Sequence, residues 1–216
     1  MNHLVLVAGY IGMGKDYLFD MMVEGKLDST YSIWSRDQST EVGVLASSQP
    51  FNRCKFALQL KRDVIEYLGI TINQLDQLKD TPLRPQHCNY QWCHISPPIN
   101  PLYRHILIDR GNYMRSIDPD YWLKAMIGDL RSDHINVITD WRFLNEVNLG
   151  HYIDGAKSIT TVRVHRANIP IPPLTLGSEH ELDDYRTDLL VLNRDDHPMN
   201  HVGVFSWMTE YCYRLV

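Results

Sequence analysis

The chain alternates short apolar runs with longer segments of helical spacing. In the longest of these, apolar residues recur at every fourth position from Phe56 to Leu68, as on one face of a helix. The runs that predict strands are Leu4–Ala8, Tyr31–Trp34, Asn136–Thr139, Ile159–His165 and Leu189–Asn193. The segments that predict helices are Asp16–Glu24, Phe51–Leu68, Tyr121–Leu130 (with Asp118 as candidate N-cap) and His201–Leu215. Strands separated by helices predict an α/β fold, a three-layer sandwich with a parallel sheet of about five strands and helices on both faces.

Two proline-rich segments interrupt this alternation. Residues 81–101 contain five prolines, and residues 168–184 form the second break. Long irregular segments in compact domains often bind ligands or close over them. We therefore expect a single domain spanning residues 1–216, with an irregular excursion around 81–101 and a lid-like loop around 168–184.

The first proline-rich segment carries four side chains that can ligate zinc: His87, Cys88, Cys93 and His94. Their spacing matches no common zinc finger, and no second ligand cluster accompanies them. The alternative is a plain, partly exposed loop with reduced thiols. The sequence leaves this choice open.

A glycine-rich motif joins the first predicted strand to the first predicted helix. Residues Gly9–Lys15 have the spacing of a phosphate-binding P-loop. In such a loop, backbone N–H groups approach the phosphate oxygens, and the lysine reaches the terminal phosphates. A dinucleotide fingerprint fits less well, because Tyr17 replaces its third glycine. The residues predicted to surround a nucleoside triphosphate are Gly9, Gly12, Met13, Gly14, Lys15, Asp16 and Tyr17.

A group of charged residues follows the strand predicted at Asn136–Thr139. Asp140 ends this strand and precedes Arg142 and Glu146. Ligands of α/β sheets bind at the carboxyl ends of strands, so Asp140 is placed like the acidic residue that holds magnesium in P-loop enzymes. The alternative is that Asp140 caps the next helix and Arg142 pairs with Glu146 on its surface. Asp16, which stands where a P-loop usually has Ser or Thr, is the other candidate magnesium ligand.

Phosphoryl transfer also requires positive charge around the transferred group. We assign the candidates to irregular segments: Arg53, Lys61, Arg104, Arg110, Arg115, Arg142 and Arg166. Arg115 is favoured because it lies in a polar stretch that leads to Trp122, and Trp122 either stacks on a base or belongs to the core.

Charge and hydropathy limit the partners. The net charge of −5 argues against nucleic acid as a partner, although it allows a local basic groove. No apolar run approaches membrane-spanning length, and the N-terminus lacks the pattern of a signal peptide. We expect a cytoplasmic protein without membrane partners. The sequence leaves open whether the chain forms a homodimer.

Four segments, in this order, resemble the bacteriophage deoxynucleoside monophosphate kinase family. They are Gly14-Lys15-Asp16, the stretch from Tyr103 through Arg115 to Trp122, the Asp-x-Arg-x-x-x-Glu stretch from Asp140 to Glu146, and Val162–Asn193 with its acidic loop His180–Asp183. Asp183 stands where Glu is more usual, and Asp109-Arg110 where small or hydroxyl residues are expected.

The resemblance implies a P-loop nucleoside monophosphate kinase fold with ATP as donor, Mg²⁺, a deoxynucleoside monophosphate as acceptor and the host cytoplasm as its location. It places Gly9–Asp16 around the donor phosphates and the 81–101 excursion on the acceptor side. The predicted catalytic residues are Lys15, Arg115, Asp140 and Arg142; the predicted acceptor-binding residues are Lys61, Trp122, Asp140, Arg142 and Glu146; the predicted metal ligands are Asp16 and Asp140.

Two alternatives remain. A kinase that phosphorylates a hydroxyl, on a modified base in DNA or on a small metabolite, would need a general base such as Asp109 or Asp140. A protein that binds ATP without transferring phosphate is the third interpretation.

Overall fold

The computed structural model describes residues 2–24, 31–35, 50–153, 156–166, 169–170 and 180–193. Its strands are β1 (Asn2–Ala8), β2 (Tyr31–Ser35), β3 (Phe51–Cys54), β4 (Ile135–Ile138), β5 (Ala156–His165) and β6 (Leu189–Asn193). Its α-helices are α1 (Lys15–Glu24), α2 (Phe56–Leu68), α3 (Ile72–Leu78), α4 (Tyr103–Ile117) and α5 (Tyr121–Met126), and 3-10 turns cover Pro85–His87, Ile127–Asp129 and Leu144–Tyr152.

The strands form one sheet in the order β2-β6-β5-β1-β4-β3. Five of them, β6, β5, β1, β4 and β3, run parallel, whereas β2 pairs with β6 in the antiparallel direction. The predicted α/β fold with about five parallel strands is therefore confirmed, but the predicted strand Tyr31–Trp34 is the antiparallel β2, and the fifth parallel strand is β3, which the sequence did not predict. Because the parallel strands share one direction, the segments that follow β1, β3, β4 and β5 all begin at the same edge of the sheet.

Alternation along β1 places apolar side chains on both faces of the sheet. Val5 and Val7 belong to a core that includes Leu18 and Met22 of α1. Leu4 and Leu6 belong to a second core, which α5 completes with residues such as Leu123. Helices therefore cover both faces, as the sequence predicted.

A third core lies between α2, α3, α4 and the excursion of residues 81–101. Val64, Leu75, Ile106 and the rings of Tyr90 and Tyr103 form its buried centre. Backbone bonding joins the ends of the excursion, since the Leu83 N–H donates to the Pro101 carbonyl at 2.9 Å. The predicted irregular excursion is thus a packed loop with closed ends.

The structure corrects the predicted helix at Phe51–Leu68. Its first residues form β3, which pairs in parallel with β4, and the helix begins at Phe56. Asn52 anchors this strand because its side-chain amide donates to Asn136 Oδ1 and to the Asp129 carbonyl, both at 2.9 Å. These partners are distant in sequence, so they leave no local periodicity.

Three further corrections concern residues 103–130. The stretch that begins at Tyr103, expected to be irregular, is the 15-residue helix α4. The helix predicted at Tyr121–Leu130 ends at Met126 and continues as a 3-10 turn. The N-cap of α5 is Asp120 rather than Asp118, whose Oδ1 instead accepts from the Asp120 N–H. The helix predicted at His201–Leu215 lies outside the described residues.

Candidate functional site

The glycine-rich segment between β1 and α1 forms a tight turn at the carboxyl edge of the sheet. Gly9, Gly12 and Gly14 have φ values of 147°, 83° and 88°, which residues with a Cβ rarely adopt. Lys15 is the first residue of α1, and its Nζ donates to the carbonyl oxygens of Gly9 (2.5 Å) and Tyr10 (2.9 Å). A helix N-terminus and an ammonium group at one turn create a site for an anion such as phosphate.

We expect Gly9→Ala to destabilise the protein by about 3 kcal/mol. A Cβ at Gly9 would lie 2.6 Å from the carbonyl oxygen of Val164 on β5, and the positive φ adds strain. Gly69→Ala is the matched control, because φ is 63° there but no heavy atom lies within 4 Å of an added Cβ. We expect about 1 kcal/mol for this control. Chemical denaturation measures both losses, and equal values would contradict the role of the close approach.

A cleft opens beside the glycine-rich turn, where β1, β4 and β5 end. It is lined by Ala8, Gly9, Tyr10, Trp141, Arg142, Arg163 and Leu182. Two of these residues are arginines, and the Arg163 guanidinium donates to the Leu182 carbonyl and lies 4.0 Å from Asp183 Oδ1. Arg163 was not among the site residues predicted from the sequence. The strand register places it in the cleft, since Arg163 pairs with Ala8 at the end of β1.

Residues 180–183 connect the turn to the far wall of the cleft. The Tyr10 hydroxyl donates to Asp183 Oδ1 at 2.8 Å, and His180 Nδ1 lies 2.7 Å from Asp183 Oδ2. Glu181 Oε1 accepts from the Leu144 N–H at 3.0 Å. This described part of the predicted lid-like loop therefore contacts both the glycine-rich turn and the segment after β4.

Asp140 caps a helix, but not the one that follows it. Its Oδ1 accepts from the Phe56 N–H at 2.9 Å and its Oδ2 from the Ala57 N–H at 2.8 Å. Lys55, at the N-cap position of α2, has no side-chain acceptor for these donors. Both oxygens of Asp140 are thus committed to the first turn of α2.

Glu146 is buried, with a relative exposure of 3%. Its Oε2 accepts from the backbone N–H groups of Arg142 (2.8 Å) and Phe143 (3.1 Å), so Glu146 holds the turn that carries Arg142. Burial, together with the nearby Asp140 charge, raises the pKa of Glu146 to about 8. A proton on Oε1 leaves Oε2 able to accept both bonds.

Arg115, on α4, packs against this turn. Its guanidinium lies 3.9 Å from the centre of the Phe143 ring, and burial lowers its pKa although Glu146 opposes the shift. A protonated Glu146 carries no charge at neutral pH, whereas Glu181 also favours the charged form of Arg115.

We expect Glu146→Gln to change how stability depends on pH. The ordinary pKa of this carboxyl is 4.5, and its pKa in the folded protein is about 8. Between these two pH values, folded wild type keeps a proton on Glu146 that the unfolded chain releases. Wild-type stability should therefore fall relative to the variant by at most about 1.4 kcal/mol per pH unit as the pH rises through this window. Denaturation of both proteins at pH 5, 6, 7 and 8 measures the difference. A difference independent of pH would mean that Glu146 is ionised throughout.

Asp16 and Thr139 provide oxygen atoms next to Lys15. The Thr139 hydroxyl, at the end of β4, donates to Asp16 Oδ1 at 2.8 Å. Burial acts against ionisation of Asp16, but hydrogen bonds from Lys55 and Thr139 hold its pKa below the ordinary value. Carboxylate and hydroxyl oxygens suit Mg²⁺, which takes few protein ligands and completes its shell with water and phosphate.

A complete metal cage is absent from the described residues, where no group of three or more His, Cys, Asp or Glu side chains could hold an ion. This also applies to the zinc candidates. His87 Nδ1 lies 2.6 Å from the Tyr103 hydroxyl, and the Cys88 and Cys93 thiols are exposed and contact backbone carbonyls.

The remaining predicted residues lie away from the cleft lining. Five of the basic candidates lie in regular elements rather than in irregular segments: Lys61 on α2, inside the helix predicted at Phe51–Leu68, Arg53 on β3, and Arg104, Arg110 and Arg115 on α4. Four form ion pairs: Arg53 with Asp20, Lys61 with Asp76, Arg104 with Asp80 and Arg110 with Asp63. Trp122 is a core residue whose Nε1 donates to the Gly111 carbonyl at 3.2 Å. Met13 is buried, its sulfur accepts from the Arg166 N–H, and Tyr17 is exposed.

No protein-family model matches the chain, and a search of curated proteins gives no significant match. Within the described part of the chain, every helix is too short or too polar to cross a bilayer. The resemblance to a kinase family therefore rests on the sequence motifs alone.

Proposed function

We propose that the protein is an ATP-dependent kinase that transfers the γ-phosphoryl group to a deoxynucleoside 5′-monophosphate and forms the diphosphate. The observation that carries this proposal is the cleft itself. It joins the turn before Lys15 to a second wall that bears Arg142 and Arg163. Positive groups on two sides of one point are what phosphoryl transfer between two phosphorylated ligands requires.

In this reaction, an oxygen of the acceptor phosphate attacks the γ-phosphorus in line, and ADP leaves. Lys15 and the glycine-rich turn bind the donor phosphates. Arg142 binds the acceptor phosphate. Arg115, which packs against the Phe143 ring, adds positive charge close to Arg142. Asp16 and Thr139 would hold Mg²⁺, which supplies further positive charge to the transferred group. The acceptor phosphate is already ionised, so no general base is required.

A hydroxyl acceptor is less well supported by the contacts of the two candidate bases. Asp140 accepts from two N–H groups of α2. Asp109 is fully buried and accepts four hydrogen bonds from Tyr90 and residues 93–95. A general base needs a lone pair that reaches the substrate proton. The four bonds to Asp109 use all of its acceptor positions, and the two bonds to Asp140 hold both of its oxygens against the first turn of α2.

The test is a coupled ADP-release assay with ATP, Mg²⁺ and a panel of the common deoxynucleoside monophosphates. The corresponding deoxynucleosides serve as hydroxyl acceptors. We expect at least one monophosphate to stimulate ADP release and its nucleoside to have no effect. Arg142→Lys tests the acceptor wall, because a lysine keeps the charge but loses the planar fork that matches phosphate. Its KM for the monophosphate should rise roughly tenfold, with little change in the KM for ATP.

Three results would contradict the proposal in different ways. Stimulation by the nucleosides alone would favour a hydroxyl acceptor. ATP binding without stimulation by any acceptor would favour a protein that does not transfer phosphate. Failure to bind ATP would remove the assignment of the glycine-rich turn.

A further inference from the structure

Lys55 is a second lysine at the carboxyl edge of the sheet, and the predicted site did not include it. It follows β3 directly and precedes α2, so it lies beside the end of β4. Its Nζ lies 2.7 Å from Asp16 Oδ1 and 2.8 Å from Asp16 Oδ2. The ammonium group therefore contacts both oxygens of the carboxylate that adjoins the glycine-rich turn.

These contacts occupy most of the acceptor positions that a metal ion would use on this carboxylate. Asp16 Oδ1 also accepts from the Thr139 hydroxyl, so neither oxygen is without a donor. The Asp16 side chain is 55% exposed and that of Lys55 34% exposed, so a hydrated ion can approach the pair from solvent. To bind Asp16 directly, such an ion must displace the ammonium group or share the carboxylate with it.

The pair is poised for such an exchange. An exposed Lys–Asp pair contributes little to stability, so the ammonium can leave the carboxylate at small cost. Asp16 has little conformational freedom of its own, because Thr139 holds one oxygen and Asp16 lies in the first turn of α1. Arg53 adds a second cation nearby, but its guanidinium is engaged by Asp20 and by the Asp16 carbonyl oxygen.

We propose that Lys55 is an internal cation that competes with a divalent metal ion for Asp16, and that it thereby sets how much metal the site requires. Lys55 is thus a positioning residue that keeps the carboxylate charge-balanced until an ion arrives. The proposal rests on the proposed function only in taking the metal as one that accompanies a nucleotide. The competition itself concerns the nucleotide-free protein.

The experiment titrates nucleotide-free protein with Mn²⁺ and follows the free ion by electron paramagnetic resonance. Wild type is compared with Lys55→Met, Lys55→Arg, Asp16→Asn and the double variant Asp16→Asn/Lys55→Met. Lys124→Met is the matched control, because Lys124 also pairs with an aspartate, Asp118, at 2.7 Å on the surface. Thermal melts confirm that each variant is folded.

We expect Lys55→Met to bind Mn²⁺ roughly threefold to fivefold more tightly than wild type, because the ion no longer has to displace an ammonium group from Asp16 and an exposed ion pair resists displacement only weakly. Lys55→Arg and Lys124→Met should bind like wild type. In the Asp16→Asn background, Lys55→Met should bring no gain, because the contested carboxylate is gone.

Equal or weaker Mn²⁺ binding by Lys55→Met would overturn the proposal, as would undetectable binding by that variant. The same gain in the Asp16→Asn background would also overturn it, since the effect would then be general electrostatics. The proposed function fails separately, if no monophosphate stimulates ADP release. That result would leave the outcome of the Mn²⁺ titration unchanged.

Discussion

Lys15→Met is expected to slow phosphoryl transfer by roughly 100-fold or more while the protein stays folded. The Lys15 ammonium stands at the N-terminus of α1, where its contacts are the carbonyl oxygens of the glycine-rich turn. A bound triphosphate would offer stronger acceptors at the same place, and charge develops on those oxygens during transfer. Methionine keeps the length of the side chain and removes the charge.

Steady-state ADP release at saturating ATP and monophosphate measures this loss, and calorimetry measures ATP binding. Lys15→Arg should recover part of the rate, because charge is restored in a different shape. Lys124→Met, which removes a surface lysine, should behave like wild type. If Lys15→Met kept its rate within threefold, the glycine-rich turn would not be the donor site.

The parts of this site that could be predicted from the sequence are those whose cause is local. The turn at Gly9–Lys15 requires glycines at fixed positions, and three of them do have positive φ. Apolar runs also identified β1, β4, β5 and β6 to within a few residues, since burial on both faces requires such runs.

The missed parts depend on contacts between distant segments. The strand β3 is polar at Asn52 and Arg53, and its stability comes from pairing with β4 and from the bonds of Asn52. The cap of α2 comes from Asp140, 84 residues from Phe56. Likewise, Arg163 enters the cleft through the register of β5 on β1, and no local pattern reports a register.

Polarity alone also misled the interpretation of α4. This helix carries Asp109, Arg110 and Arg115 among its apolar residues, so it reads as an irregular polar stretch. In the structure, Tyr103 and Ile106 are buried in the third core, and Asp109 is as fully buried as they are. A carboxylate at a core position gives no sequence signal of its burial, because its partners lie on another segment.

Asp109→Asn is expected to destabilise the protein by about 3 kcal/mol. Asp109 Oδ1 accepts from the N–H groups of His94 (2.7 Å) and Ile95 (2.8 Å), and Oδ2 accepts from Cys93 N–H (3.0 Å) and the Tyr90 hydroxyl (2.9 Å). An asparagine turns one of these acceptors into a donor. At least one backbone N–H of residues 93–95 then faces another donor and loses its hydrogen bond, whereas the Tyr90 hydroxyl can turn to accept.

Chemical denaturation measures the loss, and hydrogen exchange at residues 93–95 locates it. Asp63→Asn is the control, because Asp63 pairs with Arg110 at a partly exposed surface and should cost no more than about 1 kcal/mol. Acid provides an independent check. Burial opposes ionisation of Asp109, but the three N–H groups hold its pKa below the ordinary value. Its contribution to stability is therefore present at neutral pH and is lost as the pH falls through the acid range.

The same variant separates the two roles that Asp109 could have. If Asp109 anchors the excursion, the variant loses stability and the amides of residues 93–95 exchange faster. If Asp109 is a general base, the variant loses turnover while those amides stay protected. We expect the first result, because all four hydrogen bonds that Asp109 accepts come from residues of the 81–101 excursion. A slowed reaction with unchanged exchange would instead restore the hydroxyl acceptor as the better description of the substrate.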